Sequence, residues 1–195
     1  FTPEPPGPPL VVFPARIIGD KGVREFVEAA RILKREGTQA TFRLVGRTDP
    51  DNPTDVGEVT VREWEGEGVV EWKGFSSEMP VELALAHIVC MPSYREGLPR
   101  VLIEAASIGR AIVTTDVPGC REVVRDGDNG LLVPVRDAQA LADALRRLIA
   151  DEPLRRAMGA RGRERATAEF SVEGFVAESL RVYDDLLPQA SLQAA

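Results

Sequence analysis

Two basic residues near the start of the chain have a spacing that suits the binding of an anion. Arg16 and Lys21 lie five residues apart in ARIIGDKG, a stretch that joins a predicted strand to a predicted helix. Both side chains can reach one anion at such a turn, and the first backbone N–H groups of the helix add partial positive charge. The alternative is a pair of surface contacts with Asp20 or Glu25. Position in the sequence leaves both interpretations open.

Two glutamates, Glu96 and Glu104, lie eight residues apart in EGLPRVLIE. Apolar residues flank Glu104, and burial of even a neutral polar group without a partner costs about 2–7 kcal/mol. An ion pair with Arg100, one helical turn earlier, would contribute only about 0.2–0.5 kcal/mol. We therefore expect a bound ligand to be the partner of Glu104.

The turn between these glutamates suits a second anion-binding position. Gly97 lets the backbone approach a ligand closely. Pro99 favours the first position of a helix, where its missing N–H needs no partner. The N–H groups of Leu98, Arg100 and Val101 are then free to bind phosphate or sugar oxygens.

Strands that alternate with helices would position these residues. This order predicts an α/β fold, a doubly wound parallel sheet of the Rossmann-like kind with extra C-terminal helices. Ligands of such sheets bind beyond the carboxyl ends of the strands, near the topological switch point. The first turn lacks GxGxxG, which argues against a nicotinamide or flavin dinucleotide. About six strands are predicted: LVVFPA, ATFRLVG, VVEWKGF, HIVCMPS, AIVTT and GLLVPV.

Composition and length set the domain organisation that we expect. We interpret residues 1–9, which are rich in proline, as a linker, and residues 10–170 as one domain. Residues 171–187 should form a helix with Ser171 as N-cap, followed by a tail at 188–195. The net charge of −7, from 31 acidic and 24 basic residues, argues against nucleic acid as the main partner. The two cysteines fit reducing, cytosolic conditions.

Several other patterns predict structure and not chemistry. The stretch DPD (residues 49–51) lies in a turn-rich loop and is interpreted as a turn. The stretch DGDNG is too short for a calcium loop. His87 is expected to have a structural role, and Cys90 and Cys120 do not form a metal cluster or a disulfide framework. We therefore expect no metal site and no cofactor.

The motifs together resemble family 4 glycosyltransferases, which are retaining enzymes of GT-B architecture. REGLPRVLIEA matches the E-x7-E motif of that family, and PARIIGDKG is similar to its donor-phosphate motif. PSYREGLP, GRAIVTTDVPGCREVVRDGDNGLLVP and the FTPEPP run match in the same order. The resemblance extends from Phe1 to about Leu187 and implies the C-terminal, donor-binding half of such an enzyme. Two departures are Gly97-Leu98-Pro99 in place of GFG and Gly119-Cys120-Arg121 within the GGxPE motif.

The resemblance implies a role for each matching residue. Arg16 and Lys21 would hold the diphosphate of a nucleotide-sugar and stabilise it as it leaves. Glu96 would bind hydroxyls of the donor sugar, and Glu104 would bind the ribose. The remaining expected donor-binding residues are Gly97, Leu98, Pro99 and Arg100 beside the sugar and phosphates, with Gly74, Phe75 and Ser76 near the base.

The resemblance also implies partners that the domain would meet in a longer protein. An N-terminal domain would bind a glycan or lipid-linked saccharide acceptor, and helix 171–187 would cross to that domain. A UDP-sugar, of the N-acetylhexosamine type, is the expected donor. The full-length enzyme would be cytoplasmic, with peripheral association at the inner face of the membrane, and this fragment alone would transfer no sugar. A GT-B nucleotide-sugar epimerase and a non-catalytic nucleotide-binding module are the alternatives.

Overall fold

The computed structural model describes residues 3–186, in which strands and helices alternate as expected from the sequence. The strands are β1 (Leu10–Pro14), β2 (Thr41–Val45), β3 (Glu71–Gly74), β4 (Ile88–Met91), β5 (Ala111–Thr115) and β6 (Gly130–Val133). The helices are α1 (Val23–Arg35), α2 (Glu58–Gly66), α3 (Met79–Leu85), α4 (Arg100–Ile108), α5 (Pro118–Val123), α6 (Ala138–Ala150), α7 (Glu152–Glu169) and α8 (Val172–Leu186). The short helix α5 was not predicted.

The six strands form one parallel sheet in the order β3-β2-β1-β4-β5-β6. This result confirms the predicted doubly wound, Rossmann-like α/β fold. The order reverses between β1 and β4, where Val11 pairs with Ile88 and Val12 with Val89. The connections that leave these two strands diverge, so a crevice opens beyond their carboxyl ends.

Both faces of the sheet are covered, which explains why its central strands are almost wholly apolar. Val11 and Phe13 face a cluster with α1 and α6, and Val12 faces a second cluster with α3 and α4. Burial of each large apolar side chain contributes about 1.5–3 kcal/mol. The predicted core face of α1 is buried throughout and comprises Val23, Phe26, Val27, Ala30 and Leu33.

The proline-rich segment before β1 is irregular, but it is fastened to the domain. The Glu4 carboxylate accepts bonds from Arg155 on α7, with Nε–Oε1 at 2.6 Å, and both side chains are buried. His87 Nδ1 accepts from the Leu10 N–H at 3.0 Å, and its Nε2 lies 2.9 Å from the Pro5 carbonyl oxygen. The structural role predicted for His87 is confirmed. The segment over residues 3–9 is therefore packed on the domain, and its role as a linker stays a prediction.

Helix α8 differs from the other long helices because none of its residues is buried. Ser171 caps it as predicted, since its hydroxyl oxygen accepts from the Gly174 N–H at 3.2 Å. Leu187 and the tail at 188–195 lie outside the described residues, and the crossing of this helix to another domain stays a prediction. Within residues 3–186, no helix is both long and apolar enough to traverse a bilayer. The exposed apolar residues of α8 are Val172, Phe175, Val176, Leu180, Val182, Tyr183 and Leu186.

Candidate functional site

A cavity of about 270 Å³ lies beyond the carboxyl ends of β1 and β4, at the switch point of the sheet. Its position is the one at which open parallel sheets bind ligands. The structure therefore brings together residues from two turns that are separated by more than 70 positions in the chain. Six predicted site residues line the cavity: Arg16, Lys21, Glu96, Leu98, Pro99 and Arg100.

An ion pair connects the two turns inside this crevice. Lys21 Nζ donates to Glu96 Oε1 at 2.6 Å, and the two side chains are only 22% and 11% exposed. The loop after β4 is also fastened to the turn after β1, because the Tyr94 N–H donates to the Asp20 carbonyl oxygen at 2.9 Å. Lys21 and Glu96 are thus held together by backbone contacts as well as by their own charges.

Arg16 is more open to solvent and pairs with a residue that the sequence interpretation placed in a simple turn. Its Nη1 lies 2.5 Å from Asp49 Oδ2, and the two side chains are 51% and 26% exposed. Arg16 and Lys21 therefore do not pair with Asp20 or Glu25, the alternative partners considered from the sequence. Asp20 pairs instead with Arg95, and Glu25 accepts from the Tyr94 hydroxyl. The Arg16–Asp49 contact spans 33 residues, so local sequence carries no signal for it.

Two glycines allow the close packing that shapes this crevice. Gly22 has a φ of +74°, and a Cβ there would clash with the carbonyl oxygen of Pro92 at the end of β4. A Cβ on Gly119, in α5, would clash with the carbonyl oxygens of Glu96 and Gly97. The absence of a side chain at Gly119 thus lets α5 pack directly against the backbone of Glu96 and Gly97. Its part in the GGxPE match is the signal in the sequence that could have revealed this role.

Glu104 lies on α4 with its side chain 38% exposed, so the premise that it lacks contact with water is wrong. Arg100 Nη2 lies 3.7 Å from Glu104 Oε1. The ion pair that the sequence allowed between successive helical turns is therefore present, and such an exposed pair is weak. The apolar neighbours Leu102 and Ala105 turn to the core, while Glu104 stays on the flank of the helix. Glu104 is not among the residues that line the cavity.

The amino end of α4 faces the cavity with backbone groups. Pro99 is the N-cap and the helix begins at Arg100, one residue later than expected. The first N–H groups of an α-helix have no partner within the helix, so those of Arg100 and Val101 can bind an anion here. Gly97 has open space where a side chain would project, and Leu98 is half-exposed.

The predicted base-binding turn lies further along the edge of the sheet. Gly74 ends β3, and its carbonyl oxygen accepts from the Gly46 N–H at 2.8 Å. Phe75 is 70% exposed, and the guanidinium of Arg47 lies 5.9 Å from the centre of its ring. Ser76 caps the next turn through the Glu78 N–H at 3.2 Å. These residues end or follow β3, two strands away from β1 in the sheet, and they do not line the cavity.

Tyr94 was missed by the sequence interpretation and fixes the loop that carries Glu96. Its hydroxyl donates to Glu25 Oε1 at 2.8 Å, and the Arg136 guanidinium lies 4.6 Å from its ring centre. Burial, together with the bond to Glu25, raises the pKa of the Tyr94 hydroxyl. Arg136 has a φ of 59°, which is uncommon for a residue other than glycine. The loop is therefore held from α1 and from the connection after β6.

The two thiols are buried and are poor nucleophiles. Burial raises the pKa of Cys120, which also accepts from Thr114 Oγ1 at 3.1 Å. Burial likewise raises the pKa of Cys90 well above its ordinary value. A thiol held protonated at neutral pH is unreactive. Across residues 3–186, no group of three or more histidine, cysteine or acidic residues is arranged to hold a metal ion.

Comparison with known proteins finds glycosyltransferases by family model and by sequence similarity. The model of the family described as "Glycosyl transferases group 1" matches residues 1–165. An N,N'-diacetylbacillosaminyl-diphospho-undecaprenol alpha-1,3-N-acetylgalactosaminyltransferase of Campylobacter jejuni is 36% identical over 147 residues, which are 75% of this chain and 37% of that protein.

Solved structures match over nearly the whole chain. Sucrose-phosphate synthase from Thermosynechococcus elongatus has a TM-score of 0.81 at 32% identity, covering 93% of this chain and 46% of its own. Anabaena HepE in complex with UDP has a TM-score of 0.83 at 24% identity, covering 92% and 49%. The chain therefore spans less than half the length of each of these three proteins.

Proposed function

Because this chain belongs to the group 1 glycosyl transferases, we propose that it binds the nucleotide-sugar donor of a retaining, family 4 enzyme. Its fold is one Rossmann-like half of the GT-B architecture. The observation that carries the proposal is the convergence of Arg16, Lys21 and Glu96 on one cavity at the switch point.

The electrostatics of the cavity support binding of a diphosphate. Arg16 and Lys21 supply two cations, and the amino end of α4 directs unpaired N–H groups to the same space. Negative charge develops on the diphosphate as the bond to the anomeric carbon breaks, and groups already fixed in place stabilise it without reorganisation. These groups can do the electrostatic work of a metal ion in the proposed reaction.

The two glutamates receive different tasks in this proposal. Glu96 lines the cavity beside Lys21 and binds hydroxyls of the donor sugar. Glu104 leaves its weak contact with Arg100 and accepts bonds from the ribose hydroxyls. Gly74, Phe75 and Ser76 lie on the side where the base would extend. The acceptor hydroxyl attacks the anomeric carbon on the face that the diphosphate leaves, so configuration is retained.

The remaining parts of the proposal concern the longer protein. The enzyme would transfer a hexose or N-acetylhexosamine in polysaccharide biosynthesis. The name of the Campylobacter jejuni relative supports an N-acetylhexosamine, and the UDP complex of HepE supports a UDP-sugar donor. The acceptor, a glycan or lipid-linked saccharide, would bind to an N-terminal domain, and α8 would cross to that domain. The enzyme would work in the cytoplasm, at the inner face of the membrane. This chain alone would bind nucleotide without transferring sugar.

Titration calorimetry with UDP, GDP, ADP and the matching nucleotide-sugars tests the proposal. Glu104→Gln should weaken binding of the free nucleotide, because its proposed partner is the ribose. Glu96→Gln should leave the free nucleotide nearly unaffected and weaken the nucleotide-sugar. Equal losses for both ligands in both variants would contradict the division of roles. Absence of binding by all nucleotides and nucleotide-sugars would contradict donor binding itself.

A further inference from the structure

Asp49 lies in the loop after β2, where its backbone takes part in the turn, because its carbonyl oxygen accepts from the Asn52 N–H at 2.8 Å. The turn is closed by other side chains: Asn52 Oδ1 accepts from the Thr54 N–H at 2.9 Å, and Asp55 Oδ1 accepts from the Asp49 N–H at 2.8 Å. The Asp49 carboxylate instead extends across to Arg16, with Oδ2 and Nη1 2.5 Å apart. This contact joins residues 33 positions apart and takes no part in closing the turn.

Backbone contacts fix the Asp49 loop beside the Arg16 turn. The Ile17 N–H donates to the Arg47 carbonyl oxygen at 2.9 Å, and the Gly19 N–H donates to the Thr54 carbonyl oxygen at 2.6 Å. A β-bridge joins Ile18 to Asp55. These backbone contacts therefore hold the Asp49 carboxylate close to the Arg16 guanidinium.

Each of the two cations in the turn after β1 already has a carboxylate partner. Two cations, Arg16 and Lys21, face two carboxylates, Asp49 and Glu96, so the four formal charges cancel. A diphosphate must therefore compete for Arg16 with an anion that the chain already supplies. The Arg16–Asp49 pair is the more exposed of the two pairs, and exposed pairs separate at lower cost than buried ones.

We propose that Asp49 is a built-in competitor of the diphosphate for Arg16. It holds the guanidinium while the site is empty, releases it when a diphosphate enters, and takes it back as the nucleotide leaves. The competition lowers affinity for the diphosphate and favours release of the nucleoside diphosphate after transfer. This inference rests on the diphosphate-binding role of Arg16 proposed above.

The test compares the wild-type chain, Asp49→Asn, Arg16→Ala and the double variant by titration calorimetry at low salt. The probes are UDP and inorganic pyrophosphate, which has no base and therefore reports on the phosphate position whichever nucleotide the site prefers. Asp49→Asn should bind both probes about two- to five-fold more tightly, since exposed ion pairs change an equilibrium by about this factor. In the Arg16→Ala background the same substitution should have no effect.

Asp51→Asn is the matched control, because it removes the same charge from an exposed position in the same loop. It should change neither affinity, which separates the local contact from a general gain in positive charge. Weaker binding by Asp49→Asn would show that Asp49 orients Arg16 for the ligand, and the inference would be wrong. Equal gains from Asp49→Asn and Asp51→Asn, or a gain that persists without Arg16, would also overturn it.

The outcomes also separate this inference from the proposed function. Binding of UDP by the wild-type chain with no gain in Asp49→Asn overturns the competitor role alone. Binding of pyrophosphate but of no nucleotide, with the expected gain in Asp49→Asn, supports the competitor role and counts against a nucleotide-sugar site. Failure of every variant to bind either probe overturns both.

Discussion

Two groups of charged residues lie at opposite edges of the same sheet, and they differ in how far their side chains are exposed to solvent. The carboxyl-edge site comprises Arg16, Lys21, Asp49 and Glu96, beyond the ends of β1 and β4. The amino-edge cluster comprises Glu4, His87, Arg110 and Arg155, and two of its members immediately precede β4 and β5. Both groups pair cations with carboxylates, and the cations of the first line a cavity.

Exposure separates a site that can bind a ligand from a cluster that completes the fold. Arg110 and Arg155 are 1% and 4% exposed, and the chain supplies their acceptors, among them carbonyl oxygens of Leu83, Ala84 and Leu148. A ligand could reach these groups only by displacing part of the protein. Arg16 is half-exposed and holds a carboxylate that can separate from it. Pairing alone therefore does not identify a functional cation.

The largest effect that we expect is on stability, from Glu4→Gln in the amino-edge cluster. Removal of this carboxylate leaves the charge of Arg155 buried without its partner, which should lower the free energy of unfolding by about 3–5 kcal/mol. Urea denaturation measures the change. Glu152→Gln is the control, since its pair with Arg156 is exposed and should contribute about 0–1 kcal/mol. If both variants lost the same free energy of unfolding, the proposed difference between buried and exposed ion pairs would be contradicted.

The next effect is on affinity, from Arg16→Ala and Lys21→Ala in the carboxyl-edge site. Loss of a charge-assisted contact with the diphosphate should weaken binding by about 1.5–3 kcal/mol, which is roughly 10- to 150-fold. Calorimetry with UDP, GDP and ADP measures it. Arg95→Ala provides the control, because Arg95 is exposed in the same loop as Glu96 and does not line the cavity. Affinities that remain unchanged in both variants would exclude these residues from the phosphate site.

A smaller effect is expected from pH through His87. Burial lowers the pKa of this imidazole below its ordinary value, although the charge of Glu4 opposes the shift. The unfolded chain therefore binds a proton at a higher pH than the folded one. Stability should be complete above about pH 7 and fall as the pH drops through about 6.5, by at most about 1.4 kcal/mol per pH unit. Urea denaturation between pH 5 and 7 should show this fall, and His87→Gln should remove it.

The smallest effect concerns salt, which should act on the two regions unequally. In the carboxyl-edge site, the charge of the half-exposed Arg16 is screened once the Debye length falls from about 10 Å at 0.1 M to about 3 Å at 1 M salt. Nucleotide affinity should therefore decrease severalfold across that range. The stability difference between wild type and Glu4→Gln should change by less than about 0.5 kcal/mol, because buried pairs are screened little. An equal response of both quantities would contradict the comparison.

The sheet could be predicted from the sequence because its determinants are local. Apolar runs of the right length alternate with helices of clear periodicity, such as Val23–Arg35, so the strand series and the switch-point crevice follow. Helix α5 was missed because Pro118–Val123 is too short for a periodic pattern. The burial of Glu104 was misjudged for a related reason. Residues adjacent in sequence lie on different faces of a helix, so apolar neighbours do not imply an apolar surrounding.

The contacts that sequence could not predict join positions far apart in the chain. Asp49 meets Arg16 across 33 residues, and Glu4 meets Arg155 across 151. Such pairs leave no pattern in a window of 10 to 20 residues. Arg16, Lys21 and Glu96 were predicted from local spacing, the family resemblance assigned them to one site, and the structure brings them to one cavity. Asp49 belongs to no motif of that resemblance, and only the structure reveals its partner.

The separation of Glu4 from Arg155 also has a consequence for the order of events on the ribosome. Glu4 is made 151 residues before Arg155. At about 5–20 residues per second, it waits roughly 8–30 s for its partner to be made. β1 likewise waits for His87, 77 residues later, to accept the Leu10 N–H. The nascent chain can therefore complete the contacts of its first strand when about half of the domain has been made, but the segment before that strand must wait for α7.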